Sequence, residues 1–504
     1  MTNVSFQTTD STLQRLYDTA ESKCKQNVRN FGEMQILVEG SSLYPFAWLE
    51  TQPMGGEMYA KRNLKVGLNN QLLFMKYQRK DGRFPGYISN EKGKVTPFYT
   101  HLQGYFFPIS AYKMYSFARL GKEYLLKLYE SLKKFDEYLW KYRDSNNDGC
   151  LETWCIWDTG EDCSTRFQKG APNAWKGEKP PHICGLPYAS MDMMAFSYGG
   201  RDTLARISHI LQNGKENLWR KKAQSVAKKI HDFLWVDQKN ACYDRDSDGN
   251  IMNVLIHNSL RVMYFGAFSQ EMADRFLKYH LFNPEEFWTK MPLPSIAVND
   301  PLFRNHEQND WSGQPEGLTY QRAIHAFENY GHFAELTVLG LKLLQAVGAE
   351  NRFTQQFDPF TGRPSLPELD GYGPTILSVL EYISRMFGIY IEENKVFWSV
   401  SGDKDQQSQY VQNWFGKNFL QETGKKSFCG FLNGKELFNA TKGVRIITDL
   451  EGSLLGVIGI DPEARKNVIE LPNATTYPLF VAPNEVYRFT GNSFQKKESA
   501  PFLL

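Results

Sequence analysis

From about residue 10 to residue 390 the chain offers one amphipathic segment after another, with apolar side chains at i, i+3, i+4 and i+7 and breaks at Gly, Pro and Asn. That spacing gathers the apolar positions on one face of a helix, and each such face must be buried against another. Nine segments are clear: Leu13 to Val28, Leu64 to Tyr77, Leu102 to Leu120, Tyr124 to Tyr142, Met191 to Leu211, Trp219 to Trp235, Leu318 to Tyr330, Phe333 to Val347 and Pro374 to Phe387. Ser259 to Phe268 and Gln270 to Leu281 follow the pattern more weakly, so about a dozen helices are expected. The stretches near 30–62, 80–100, 144–190 and 282–317 are far longer than the roughly 2–8 residues that usually join packed helices, and long loops of this kind carry function. After about residue 395 the period shortens to two. Val396 to Val400, Phe428 to Leu432, Glu436 to Asn439, Val444 to Thr448 and Leu454 to Ile460 read as strands, with Asn433-Gly434 and Glu451-Gly452 placed for hairpin turns.

At 504 residues the chain exceeds what one compact core usually holds. The change of period places the division: a helical domain over 1–395 and a β-sandwich-like antiparallel domain over 396–504. The 58 basic residues nearly balance the 56 acidic ones, which gives no electrostatic reason to expect nucleic acid as a partner. No apolar run approaches the roughly 18 residues of a membrane span, so no membrane partner is expected and the chain reads as soluble. The seven cysteines are odd in number and follow neither disulfide nor zinc spacing, and no cofactor or metal is expected. The strings Asp144-x-Asn146-x-Asp148-Gly149 and Asp244-x-Asp246-x-Asp248-Gly249 resemble the start of a calcium loop but lack its twelfth-position Glu, and read as polar turns. No signal peptide is visible, but a trimmed chain would look the same, so the compartment stays open between cytoplasmic and secreted or periplasmic. Oligomeric state is not legible.

Aromatic residues make up 14% of the chain, and Trp48, Trp154, Trp157, Trp175, Trp288 and Trp311, six of the 11 tryptophans, fall in the long loops. The densest chemistry is Asp158-Thr-Gly-Glu161-Asp162-Cys-Ser-Thr-Arg166-Phe167, where three carboxylates lie close to Trp154, Trp157 and an arginine. Sugar chemistry uses such groups: an acid protonates the leaving oxygen, and flat rings stack on the C–H faces of a pyranose.

This segment resembles the Glu-Ser-Gly-Trp-Asp-Phe-Ser-Ser-Arg-Trp segment of trehalases, glycoside hydrolase family 37, and its equivalent in family 63, which includes α-glucosidases and mannosylglycerate hydrolases. Further along, Pro187-Tyr-Ala-Ser-Met-Asp192, Phe233-Leu-Trp-Val-Asp237 and Asp370-Gly-Tyr372-Gly-Pro-Thr375 are similar, in the same order, to other short motifs of these families. The resemblance spans about residues 40–390. It implies a mainly α fold, an (α/α)6 barrel followed by the small β domain, and a small carbohydrate as substrate, with Asp162 as general acid. It also implies sugar contacts from Trp48, Glu50 and Arg62 in the Trp48-to-Asn63 loop, and from Trp157, Asp158, Glu161, Arg166, Asp192, Trp311, Asp370 and Tyr372.

One position departs from the pattern. Inversion needs a second carboxylate to take a proton from water. In these families that Glu opens a segment similar to Gln355-Gln356-Phe357-Asp358-Pro359, and here it is Gln355, an amide that takes no proton at neutral pH. Glu316, in Asp310-Trp-Ser-Gly-Gln-Pro-Glu316-Gly, and Glu368 are the candidate replacements. A helix starting near Leu318 is expected to hold the Glu316 carboxylate in its charged form. The leading expectation is an inverting glycoside hydrolase acting on an α-linked glucoside or small oligosaccharide. A phosphorylase that uses phosphate in place of a base and a sugar-binding protein without chemistry are the alternatives.

Overall fold

The computed structural model describes residues 2–40, 44–402 and 406–504. Twelve α-helices occur among these residues: α1 (Ser11–Gln26), α2 (Gln52–Tyr59), α3 (Leu64–Lys76), α4 (Phe107–Phe117), α5 (Lys122–Tyr142), α6 (Met191–Leu211), α7 (Glu216–Lys229), α8 (Ser259–Phe265), α9 (Gln270–Phe276), α10 (Gly317–Asn329), α11 (Phe333–Glu350) and α12 (Gly373–Phe387). All eleven helices expected from the period are present, most with ends within a few residues of the expected positions. The additional one is α2, which lay inside the expected loop over 30–62. Pro53, Gly55 and Gly56 give it poor helical propensity, and it is buried almost all round, so it shows no amphipathic period. Its glycines serve packing: a Cβ on Gly56 would lie 2.4 Å from Asn70 Cβ on α3.

The even-numbered helices touch in the cyclic order α2, α4, α6, α8, α10, α12 and back to α2, and the odd-numbered ones pack outside them. Connections alternate in length. From α2 to α3, α4 to α5, α6 to α7, α8 to α9 and α10 to α11 only three or four residues intervene, whereas every connection leading into an even-numbered helix is long. All the long loops therefore meet at one end, where the N-termini of the even-numbered helices point.

The β part is two antiparallel sheets of seven and six strands. Trp398, fully buried, packs from the six-stranded sheet onto Phe419 and Phe438 of the seven-stranded one, with ring centroids 5.9 and 5.7 Å apart. The Asn433-Gly434 hairpin forms as expected, both residues having positive φ, 51° and 79°. Two strands come from outside 396–504. Thr2–Thr8 pairs along its whole length with Ser408–Trp414, and Ile389–Glu392 pairs with Lys395–Trp398. The N-terminus thus crosses back onto the β part, a long-range pairing with no local signal. The two calcium-like strings are polar turns: Asp148 Oδ1 accepts from Cys150 N at 2.7 Å and Asp246 Oδ1 from Asn250 N at 2.8 Å. No helix among the described residues is long and apolar enough to cross a membrane.

Candidate active site

The long loops enclose a cavity of about 250 Å³ whose walls include Glu39, Tyr44, Trp48, Glu50, Tyr87, His101, Trp157, Asp162, Trp311, Gln355 and Tyr372. Each lies on a segment leading into an even-numbered helix. Trp48 and Tyr87 sit side by side, ring centroids 4.7 Å apart, and the Trp157 ring meets His101 edge-on at 5.2 Å. These are apolar faces suited to a pyranose. His101 Nδ1 is paired with Thr100 Oγ1 at 3.0 Å, and among the described residues its Nε2 has no well-formed hydrogen bond. Burial pushes its pKa down to about 4, so the ring is neutral at pH 7.

Asp162 presents its carboxylate at the same cavity. Its Oδ2 accepts from Asn309 Nδ2 at 2.9 Å, and its backbone oxygen accepts from Trp311 N at 3.0 Å, which fixes the loop against the segment before α10. Burial pushes its pKa up to about 6, with the Asn309 and Trp157 donors drawing it part of the way back. Gln355 continues the chain of contacts. Its Nε2 donates to Asn309 Oδ1 at 2.6 Å, and Tyr44 OH donates to its Oε1 at 2.9 Å.

Glu50 reaches the same cavity but is ion-paired with Arg322 on α10. Burial outweighs that pairing and pushes its pKa up to about 7. Gly160 makes room for this carboxylate: it has φ +74° and a Cβ there would lie 2.2 Å from Glu50 Oε2.

The other expected sugar contacts lie behind the cavity wall. Arg166 is buried and binds Glu161, Asp192 at 2.8 Å and Asp244 at 2.5 Å. Arg261 adds a second cation, 3.2 Å from Asp192. Asp158 is fully buried on Arg143 and accepts from Leu102 N at 2.9 Å and Trp154 N at 3.0 Å, which ties two long loops together. These residues shape the loop that presents Asp162. Asp158, Glu161, Arg166 and Asp192, expected at the sugar, do not line the cavity. Arg62, also expected at the sugar, is instead ion-paired with Glu21 on α1 and lies outside the cavity. Asp370 pairs with Lys23 at 2.9 Å and receives Phe353 N at 2.9 Å, outside the cavity, whereas its neighbour Tyr372 lines it. Trp154, Trp175 and Trp288 are not among the lining residues, so three of the six loop tryptophans face the cavity.

Neither candidate base lines the cavity. Glu368 is exposed and does not line the cavity. Glu316 immediately precedes α10, yet its side chain makes no capping bond to that helix. It is completely buried, and among the described residues neither carboxylate oxygen has a well-formed hydrogen bond. Burial pushes its pKa well up, the Gln355 and Gln356 amides offsetting only part of this. The expected lowering by the helix N-terminus fails because a partial charge of about half a unit is weaker than complete removal from water.

Sequence reading missed Glu39, Tyr44, Tyr87, His101 and Asn309. All are on the long loops, and loop length was the one signal that pointed to them. A larger cavity of about 320 Å³ lies between the helices and the β part; of its carboxylates, Glu381 pairs with Lys61 and Glu392 with Lys113, each at 2.7 Å, while burial pushes the Glu57 pKa up.

Residues 46–373, about two thirds of the chain, match the family model described as the mannosylglycerate hydrolase MGH1-like glycoside hydrolase domain. The chain belongs to this family. It is a glycoside hydrolase, in keeping with the order of short motifs around Asp162. Comparison with curated sequences gives no match. Among solved structures, this glycoside hydrolase is similar to the family 63 mannosylglycerate hydrolase of Thermus thermophilus in complex with glucose, with 16% identity, 73% of this chain and 99% of that chain covered, and a TM-score of 0.59. It is also similar to the neutral trehalase of Saccharomyces cerevisiae, at 13% identity, coverage of 73% and 80%, and a TM-score of 0.54. A family 78 rhamnosidase of Bacillus sp. GL1 matches at 11% identity, coverage of 84% and 40%, and a TM-score of 0.60. At these identities the likeness is one of fold.

Proposed function

We propose that this glycoside hydrolase cleaves an α-linked glucoside or small neutral oligosaccharide with inversion, Asp162 giving its proton to the leaving oxygen. The cyclic order of the even-numbered helices supports reading the helical part as an (α/α)6 barrel with the cavity at its mouth. Residues 1–395 would form the catalytic unit, and 396–504, with the strand Thr2–Thr8, the accessory β unit.

The observation that carries the reading is Asp162, with a pKa raised to about 6, in a cavity walled by Trp48, Trp157 and Trp311. No lysine or arginine lines that cavity among the described residues, and the neighbouring residues 41–43 are Ser, Ser and Leu. A phosphate nucleophile or a glycerate carboxylate is held most strongly by a cation at the cavity wall. This favours water over phosphate as acceptor and a neutral aglycone over the glycerate of the mannosylglycerate hydrolase.

The test is an NMR-monitored panel of α-linked disaccharides and mannosylglycerate, with and without phosphate. Hydrolysis of a neutral disaccharide to the β-anomer, unchanged by phosphate, is expected. Formation of a sugar phosphate, or cleavage of mannosylglycerate alone, would overturn the reading. A second expectation concerns pH. The general acid must hold its proton in the free enzyme, so kcat/KM should fall as pH rises through about 6. A profile flat from about pH 5 to about pH 8 would remove Asp162 from that role.

A further inference from the structure

Inverting hydrolysis needs a group that takes a proton as well as one that gives it. Gln355 holds the position where the resemblance leads one to look, and its amide is fixed by Tyr44 and Asn309. Glu316 is sealed from the cavity, Glu368 lies outside it, and Glu50 is bound to Arg322.

Glu39 differs from them in position: it faces the cavity and takes one side-chain hydrogen bond among the described residues, although burial and the nearby Glu50 push its pKa well up, with the Tyr372 hydroxyl drawing it part of the way back. It lines the same cavity as Asp162. Its Oε1 accepts from Tyr372 OH at 3.0 Å, and its backbone oxygen accepts from Gly373 N at 2.5 Å, so it is held at the N-terminal end of α12. No hydrogen bond to its Oε2 is found among the described residues, and that oxygen is not among the buried unpartnered atoms. The Tyr44 ring stands edge-on to Tyr372 at 6.2 Å while its hydroxyl contacts Gln355, which places Glu39 in the neighbourhood of position 355. Glu39 also precedes the matched span 46–373.

We propose that Glu39 is the general base of this glycoside hydrolase, a carboxylate from the loop before α2 doing what Gln355 cannot. This rests on the hydrolytic reading above. As the water oxygen bonds to the anomeric carbon, Glu39 Oε2 takes one water proton. The bond from that carbon to the leaving oxygen breaks, and the leaving oxygen takes the Asp162 proton. Water is consumed, two hydroxyl products form, and the proton gained by Glu39 and lost by Asp162 is exchanged with solvent.

Glu39→Gln, Asp162→Asn and Glu316→Gln are compared on the best disaccharide of the panel and on α-glucosyl fluoride, whose leaving group needs little protonation. Glu39→Gln is expected to lose about 10²–10⁴-fold in kcat on both. Asp162→Asn should lose far more on the disaccharide than on the fluoride. Azide attacks without shedding a proton, so it should restore fluoride turnover to Glu39→Gln, giving the β-glucosyl azide, and should not do so for Glu316→Gln. Glu39→Asp, which keeps a carboxylate, should retain measurable turnover and the acid-side limb of the pH profile. Turnover by Glu39→Gln within about ten-fold of the parent would overturn the assignment. So would azide rescue at Glu316→Gln, or a folded Glu39→Gln that azide leaves inactive. If Asp162→Asn is inactive on the disaccharide while Glu39→Gln is active, the hydrolytic reading stands and Glu39 alone is excluded. A parent enzyme that cleaves no glycoside removes both.

Discussion

Asp162→Asn is expected to lower kcat/KM on an unactivated disaccharide by about 10²–10⁴-fold with little change in thermal stability. The substitution keeps the shape of the side chain and removes its proton. The leaving sugar is a poor leaving group as an alkoxide, so the proton must arrive as the glycosidic bond breaks. Stability should hold because Asp162 is bound through Asn309 and through its own backbone oxygen, and the second contact is untouched by the substitution. An amide is also spared the burial cost that raises the Asp162 pKa to about 6. Initial rates and melting curves of parent and variant decide the matter. An unchanged rate would take Asp162 out of the mechanism.

Arg166→Met should act on stability. Arg166 bonds to three buried carboxylates, Glu161, Asp192 and Asp244. Arg261 remains beside Asp192 at 3.2 Å and Glu161 at 3.7 Å, so Asp244 loses its cation outright. Burial already raises the Asp244 pKa despite Arg166. Breaking one side of a buried ion network costs about 3–5 kcal/mol, because the remaining charge stays buried without a partner. The unfolding midpoint in denaturant should fall accordingly, and turnover should fall with it, since the loop held by Arg166 carries Asp162. A variant of normal stability with a raised KM would instead mark Arg166 as a sugar contact.

The contrast between Asp162 and Arg166 shows what the motif in the chain could and could not convey. Both stand in one short segment, and both were expected to meet the sugar. Four residues along a loop are enough to turn one side chain into the cavity and the other into a buried cluster with Asp192, which begins α6, and Asp244, which is far from both in the chain. Asp370 and Tyr372 divide in the same way, the first pairing with Lys23 and the second contacting Glu39. Glu39 itself had no motif, and only the approach of its loop to the start of α12 brings it to the site.

What the sequence determined by itself was the kind of structure: the 3.6-residue period set eleven of the twelve helices, the two-residue period announced the β part, and the order of short motifs led to Asp162. Period and motif are local, so they survive in a one-dimensional reading. The tertiary structure alone decided which carboxylates meet the cavity and in what state. It shut Glu316 away from water, left Glu368 in solvent, bound Glu50 to Arg322 and brought Glu39 beside Tyr372. The physical reason is that burial and long-range partners govern a carboxylate's proton affinity and access, and both depend on residues hundreds of positions apart, such as Glu39 and Tyr372.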